Sequence, residues 1–434
     1  MRIDASLYMP ATAAVCLLFI LMMPLAIAGL ALINTGLNRS RAAAYAVLST
    51  LVIACVAVVA YVALGFSVHG PASGSYSFSF GGTKWDWMGA GPFFLRRLPL
   101  DGNPASMTAL FGMISAALAS TIPAGSLGER WRLGASCAST ALLAGWTYPL
   151  FAHWVWGGGW LAQLGSQFGL SAGVLDAAGA SCIHTTGGLT ALALSWIIGP
   201  RRGRFTPDGI PTAMPGHNAV VVLFGSLLAI AGFLGLNSAG AVLFAARTPA
   251  QTVAVDINTI VCAAGGTLAS LAVTRLRFGR PDASLTANGL VAALVASSAG
   301  APFIKPAEAL LIGLIAGVMV IFAVELLELR MKIDDPTGAI AVHAGGGFWG
   351  LLAIGIFGRV PASDSSGQFL AQLVGIAALI GFIFPLTYVL NWLLNRILPQ
   401  RVSAESERQG PDLFELGAGA YPEFVTHRED FLRH

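Results

Sequence analysis

Charge is what this chain has least of. Asp, Glu, Lys and Arg together make up 10% of its 434 residues, against roughly 25% in soluble domains, which excludes an ordinary water-soluble globule. Cysteine is scarce as well. Cys16, Cys55, Cys137, Cys182 and Cys262 each stand in an apolar run, with no CxxC pair and no histidine or acid at metal-ligand spacing, so a disulfide framework and a zinc site are both set aside. The formal net charge is +3, and the arginines come in twos and threes rather than as one basic face, which gives no reason to expect nucleic acid as a partner. No HExxH helix, phosphate loop or Ser/His/Asp order is present. A membrane enzyme is therefore set aside, and no cofactor is expected.

What fills the chain instead is apolar surface: 56% of residues are hydrophobic and the mean hydropathy is +0.73. With a hydrocarbon core about 30 Å thick, each crossing needs roughly 20 such residues. The runs predict about eleven transmembrane helices, near 10–33, 45–67, 104–125, 133–152, 177–199, 219–237, 251–274, 283–301, 306–328, 338–358 and 366–395. The fold class is thus an all-α polytopic membrane protein. Residues 1–395 form the membrane domain and 396–434 a polar tail that mixes five arginines with seven acids. The loops holding Arg39/Arg41, Arg130/Arg132, Arg201–Arg204, Arg275–Arg280 and Arg330/Lys332 carry twelve basic residues, against seven on the other side. The positive-inside bias makes that side cytoplasmic, with the N-terminus outside and the tail inside. Ala26-Ile27-Ala28 resembles a signal-peptidase site, but cleavage there would remove most of a needed span, and 10–33 is read as a mature helix.

The most informative pattern is a repeat. Asp176, Gly179, His184, Gly187 and Gly188 recur with identical offsets as Asp335, Gly338, His343, Gly346 and Gly347. The two blocks fall in the fifth and tenth spans, so the unit is five helices long. An odd-numbered unit must enter the bilayer with opposite polarity the second time, giving inverted repeats over about 10–199 and 219–358, plus an extra helix over about 366–395. Gly29 to Asn34 against Gly232 to Asn237 is a weaker echo in spans one and six. A histidine in a membrane span is costly unless it is paired or faces a polar cavity. Two at symmetric positions, each flanked by glycines, point to a pore or binding site in which the imidazoles bond to one another. Asp176 reads as a helix cap. Glu325, Glu328, Asp334 and Asp335 read as an interfacial ion cluster with Arg330 and Lys332, and His153 beside Trp154 as an interfacial side chain. The sequence offers no partner for Asp256.

With these residues in view, the chain resembles the ammonium transporter, methylammonium permease and Rhesus family from Gly29 to about Tyr421. The carrying segments are Gly29–Arg39, Gly65-Phe66-Ser67, Gly125–Arg130, Ala152–Gly159, the two histidine blocks, and Glu407–Glu415. The resemblance implies a homotrimer in the cytoplasmic (inner) membrane, with one narrow apolar pore per subunit. It makes His184 and His343 the twin pore histidines, places Trp156 at an outer ammonium recruitment site, and gives Asp176 structural support of that site. Ammonium or methylammonium would be the substrate, losing a proton before conduction. Gly410, Asp412 and Glu415 match a regulatory C-terminus that implies contact with neighbouring subunits and, in many relatives, a PII-type signalling partner. The departures are specific. Ser115 and Leu236 stand where two stacked phenylalanines are usual, Gly240 where a serine is usual, with Ser238 near enough to substitute, and Gly112 where a glutamine follows Phe111. The missing rings imply a wider, wetter outer vestibule unless Phe111 or Phe233 swings in. Two other functions stay open: an ammonium sensor that conducts poorly, and a neutral-gas pore of Rhesus type, against which Trp156 counts.

Overall fold

A computed structural model describes residues 10–71, 74–360 and 365–421; the N-terminal nine residues and positions 422–434 of the tail lie outside the described part. In lipid every backbone N–H and C=O must be satisfied within the chain, and apolar runs of this length do so as helices. The long helices are α1 (Ala11–Leu37), α2 (Ser40–His69), α3 (Pro104–Ser126), α4 (133–155), α5 (Ala180–Ile198), α6 (Ala219–Phe244), α7 (Pro249–Phe278), α8 (Ala283–Phe303), α9 (Pro306–Arg330), α10 (Ile340–Phe357) and α11 (Gly367–Ile397). Among the described residues, all but α4 are long and apolar enough to cross a membrane, which makes ten. The remaining helix, α4, is more polar: it buries Ser136, Ser139, Thr140, Thr147 and His153 among its neighbours.

Small residues let these helices approach. A Cβ on Gly29 of α1 would stand 2.6 Å from the Gly225 carbonyl of α6, and a Cβ on Gly225 would stand 2.6 Å from the Gly29 carbonyl. Two glycines thus seat the first helix of each half against the other. The segment between α2 and α3, which lies outside the predicted spans, forms an antiparallel hairpin of β1 (Ser75–Phe80) and β2 (Thr83–Gly89). Its turn is Gly81-Gly82, both at positive φ (62° and 79°), the backbone that a two-residue hairpin turn requires. The hairpin packs on the end of α4: the rings of Trp87 and Trp154 lie 4.8 Å apart, and the Trp154 indole donates to the Trp87 carbonyl at 2.7 Å.

The opposite face of the bundle gathers the arginines. Glu129 meets Arg39 and Arg201, and Asp334 accepts from Arg201 Nε at 2.8 Å. Burial pushes the Asp334 carboxyl up, but the hydrogen bonds and charge of Arg201, with Arg130 beside it, outweigh this and hold it at about 2. The acids do not pair with Arg330 and Lys332 as the sequence suggested. Glu325 pairs with Arg277 and Glu328 with Arg204, because α7 and the 201–204 loop lie across from the end of α9. Two short tail helices, α12 (Ala404–Gln409) and α13 (Pro411–Leu416), dock on this arginine face.

Candidate functional site

The two repeat blocks are built alike. The Asp176 carboxylate accepts the N–H groups of Gly179 (2.7 Å), Ala180 (2.9 Å), Ser181 (2.7 Å) and Cys182 (3.0 Å). Asp335 accepts those of Ala339 (3.1 Å) and Ile340 (2.8 Å) and the Ser126 hydroxyl at 2.8 Å. Each aspartate thus satisfies the orphan donors that open a buried helix. Just beyond each cap the helix widens by one π turn, over Ala180–Thr185 and Ile340–Gly345, so the His184 N–H reaches the Gly179 carbonyl five residues back at 3.0 Å. Such turns recur at functional sites because they redirect a side chain out of the regular helical register.

Redirected in this way, the imidazoles meet. His184 Nδ1 and His343 Nδ1 lie 3.2 Å apart, with ring centroids 5.2 Å apart and planes 16° from parallel. Both side chains are buried. In a pair of neutral imidazoles one Nδ1 donates and the other accepts, which places the two Nε2 atoms at opposite ends of the pair. His184 Nε2 is buried and has no hydrogen-bond partner among the described residues. Phe233, from α6, packs against His184, its ring stacked on the imidazole at 5.1 Å and 10°.

Trp156 lies toward the hairpin end, among aromatic rings. Its indole N–H donates to the Asp176 carbonyl at 2.6 Å, so the repeat's cap and the tryptophan are tied together. Phe244, the last residue of α6, lies parallel to the indole at 4.3 Å with planes 3° apart. Phe111 stands edge-on to both, 5.8 Å from Trp156 and 5.3 Å from Phe244. Ser115 and Leu236 are buried, and the ring covering the tryptophan comes from a residue that the sequence reading passed over.

The other departures have steric reasons. A Cβ at Gly112 would collide with the hydroxyl of Tyr61, and one at Gly240 with the backbone of Ala177; neither position has room for the usual glutamine or serine. Ser238 donates its hydroxyl to Asp256 Oδ1 at 2.7 Å. That supplies the missing partner of Asp256 and commits the Ser238 proton. His153 is buried rather than interfacial. Its Nδ1 meets the His69 carbonyl at 2.8 Å and its Nε2 meets Asp86 of β2 at 3.1 Å, so the unforeseen hairpin fills the role that water would have taken. His69, which the sequence reading also missed, lies with its ring 6.3 Å from that of Trp156.

In the tail, Asp412 binds the first turns of α2, accepting from Ala44 N (3.1 Å) and Tyr45 N (2.7 Å). Gly410 has φ 106°, and a Cβ there would stand 2.5 Å from the Arg41 carbonyl. Glu407 is held by Arg401 and Arg202. Glu415 lies on the last turn of α13.

Fold and site together define a multi-pass helical membrane protein with a histidine pair buried between two equivalent helix starts. Comparison with known proteins gives the family. Residues 11–421 match the model of the Ammonium Transporter Family, and the chain belongs to it. It is 35% identical over 419 residues to ammonium transporter Amt2 of Archaeoglobus fulgidus, covering 92% of this chain and 85% of that protein. It is 32% identical over 330 residues to the ammonium transporter of Bacillus subtilis, covering 74% and 77%. Among solved structures it resembles a sensor Amt protein (TM-score 0.85, 29% identity, 93% of this chain and 98% of that one). It shares the fold of Mep2 from Candida albicans (TM-score 0.79, 23% identity, 97% and 93%).

Proposed function

We propose that the protein carries ammonium nitrogen across the cytoplasmic membrane, with the arginine face inside, by recruiting the cation at Trp156 and passing ammonia along His184 and His343. The observation that carries this reading is the direct contact of two buried imidazoles, one from each repeat. A dry path penalises any ion that keeps its charge. Ammonium escapes the penalty by giving its proton to water on the outer side before it enters, and potassium has none to give, so a buried pair of neutral hydrogen-bonding groups selects by chemistry rather than by size. Asp176 holds the site by fixing both the start of α5 and the Trp156 indole. We read the assembly as a homotrimer and the docked tail, through Gly410, Asp412 and Glu415, as the element that a PII-type partner or a neighbouring subunit would engage.

A second reading, an ammonium sensor with little flux, is favoured by the aromatic stack covering Trp156 and by the likeness to a sensor Amt protein. Proteoliposomes separate the two. Transport requires methylammonium uptake above empty vesicles, with a rise in lumenal pH where ammonia crosses alone and a current where the released proton also crosses; ammonium binding with none of these signals establishes the sensor.

A further inference from the structure

A cluster of buried polar groups between Trp156 and the histidine pair has no role in the scheme above. Tyr61 and His69 on α2, Ser115 on α3 and Tyr148 on α4 are all buried. The Tyr61 hydroxyl and His69 Nδ1 are hydrogen-bonded at 2.8 Å. The rings of Tyr61 and Tyr148 lie 6.0 Å apart, and Ser115 lies beside Tyr148. Three polar atoms here, His69 Nε2, Ser115 Oγ and Tyr148 Oη, lack a hydrogen-bond partner of good geometry among the described residues. One such group in a native interior calls for an explanation, and three around one tyrosine mark a place that a polar guest completes.

The depth of the cluster follows from α3. Phe111 packs on Trp156, while Ala119 and Ile122 meet Gly187 of α5, just past His184. Ser115 sits one turn, about 6 Å, from either level. This is where a ring would fill the path were position 115 phenylalanine. Gly112 on the preceding turn leaves the space that the Tyr61 hydroxyl occupies, and Tyr61 in turn fixes the His69 ring.

We propose that this space is a hydrogen-bonding station for ammonium, with His69 Nε2, Ser115 Oγ and Tyr148 Oη as its acceptors. The inference rests on the reading of the chain as an ammonium protein. The chemistry matches in sign, with three acceptors for three of the four N–H donors of ammonium. With the His69 proton on Nδ1 and donated to Tyr61, Nε2 presents a lone pair, and each hydroxyl oxygen presents lone pairs of its own. Ammonium brings four N–H donors. The aromatic rings at Trp156 stabilise its charge but accept few hydrogen bonds, so a cation leaving them for the dry path meets its first set of acceptors here, in place of a ring gate. Potassium, larger and unable to donate, gains no hydrogen bonds.

The test uses the purified full-length protein, titrated calorimetrically with ammonium chloride against potassium chloride, and the same protein in vesicles for methylammonium uptake and lumenal pH. His69→Leu is expected to raise the half-saturating ammonium concentration about tenfold, and Tyr148→Phe about threefold. His69→Gln, which restores an acceptor, should recover most of the loss. If the cluster holds only water, both removals leave half-saturation within twofold of the parent, and the station is overturned. Should His69→Leu fail to fold, Tyr148→Phe decides, since it removes one oxygen without changing shape. Absence of ammonium binding by the parent also overturns the station. Binding that depends on His69 in a protein that takes up no methylammonium and raises no lumenal pH sinks the transport reading and leaves the station standing.

Discussion

Replacing Phe244 by leucine keeps a large apolar side chain at the end of α6 but removes the ring lying 4.3 Å from Trp156 and parallel to it. A cation reaching that indole face must first displace the phenyl ring, so the stacking energy is subtracted from the cation's own attraction. Aromatic pairs contribute about 0.5–1.5 kcal/mol beyond their buried area, and a cation on an indole gains roughly 0.5–2 kcal/mol. Competition of that size lowers apparent affinity by about 2- to 12-fold. Phe244→Leu should therefore tighten the apparent ammonium affinity by that factor, read from the ammonium concentration that half-inhibits methylammonium uptake into vesicles. Trp156→Leu should weaken it by up to about tenfold. The double variant is the control: once the indole is gone, removing Phe244 should give no further gain. Weaker ammonium binding in Phe244→Leu would refute the argument, because it would show that the phenyl ring holds the cation together with Trp156 instead of excluding it.

The histidine pair predicts strong coupling: His184→Ala and His343→Ala should each abolish or alter selectivity between ammonium and potassium, and the double variant should add much less than the sum of the two, whereas additive effects would mean that the rings act separately. In the tail, Asp412→Ala removes the acceptor for two backbone N–H groups, a loss of about 1 kcal/mol. Hydrogen exchange of residues 404–416 should then speed up about fivefold, and Gly410→Ala, whose Cβ meets Arg41, should do at least as much. Asp335 predicts a pH effect. Burial pushes its carboxyl up from 3.8 to about 6 against the hydrogen bonds from Ile340, Ser126 and Ala339. Between those values the folded protein keeps a proton that the unfolded chain loses, so this group's contribution to stability falls as pH rises, by up to about 1.4 kcal/mol per unit, and levels off above 6. Thermal melts of Asp335→Asn should lack that part of the pH dependence between pH 4 and 6, and identical profiles for variant and parent would remove Asp335 as its source.

The hairpin shows that some of what went unseen was in principle readable. Ser75–Phe80 and Thr83–Gly89 alternate aromatic with polar residues about a Gly-Gly pair, the local pattern of a two-residue hairpin, but a stretch between two spans invites reading as plain loop. Asp256, His153 and the acids after Glu325 were different. Their partners, Ser238, Asp86, Arg277 and Arg204, come from other elements at distances along the chain that no spacing rule covers.

By itself the sequence determined whatever depends on neighbours within a turn or two. Span length follows from the bilayer's thickness. The aspartate caps need only the N–H groups of the next few residues, so their repetition at 176 and 335 was readable as two copies of one helix start, each ending in a histidine. Which faces of the helices meet was left to the tertiary structure. In segments apolar on every side, hydrophobic periodicity gives no rotation angle, and rotation is set by close contacts such as Gly29 on Gly225. That packing brought Phe244 onto Trp156, turned Phe233 onto His184 and put Tyr61 into the space beside Gly112. The local code thus placed the two histidines at equivalent points of two helices, and only the packing of those helices closed the 3.2 Å between their nitrogens.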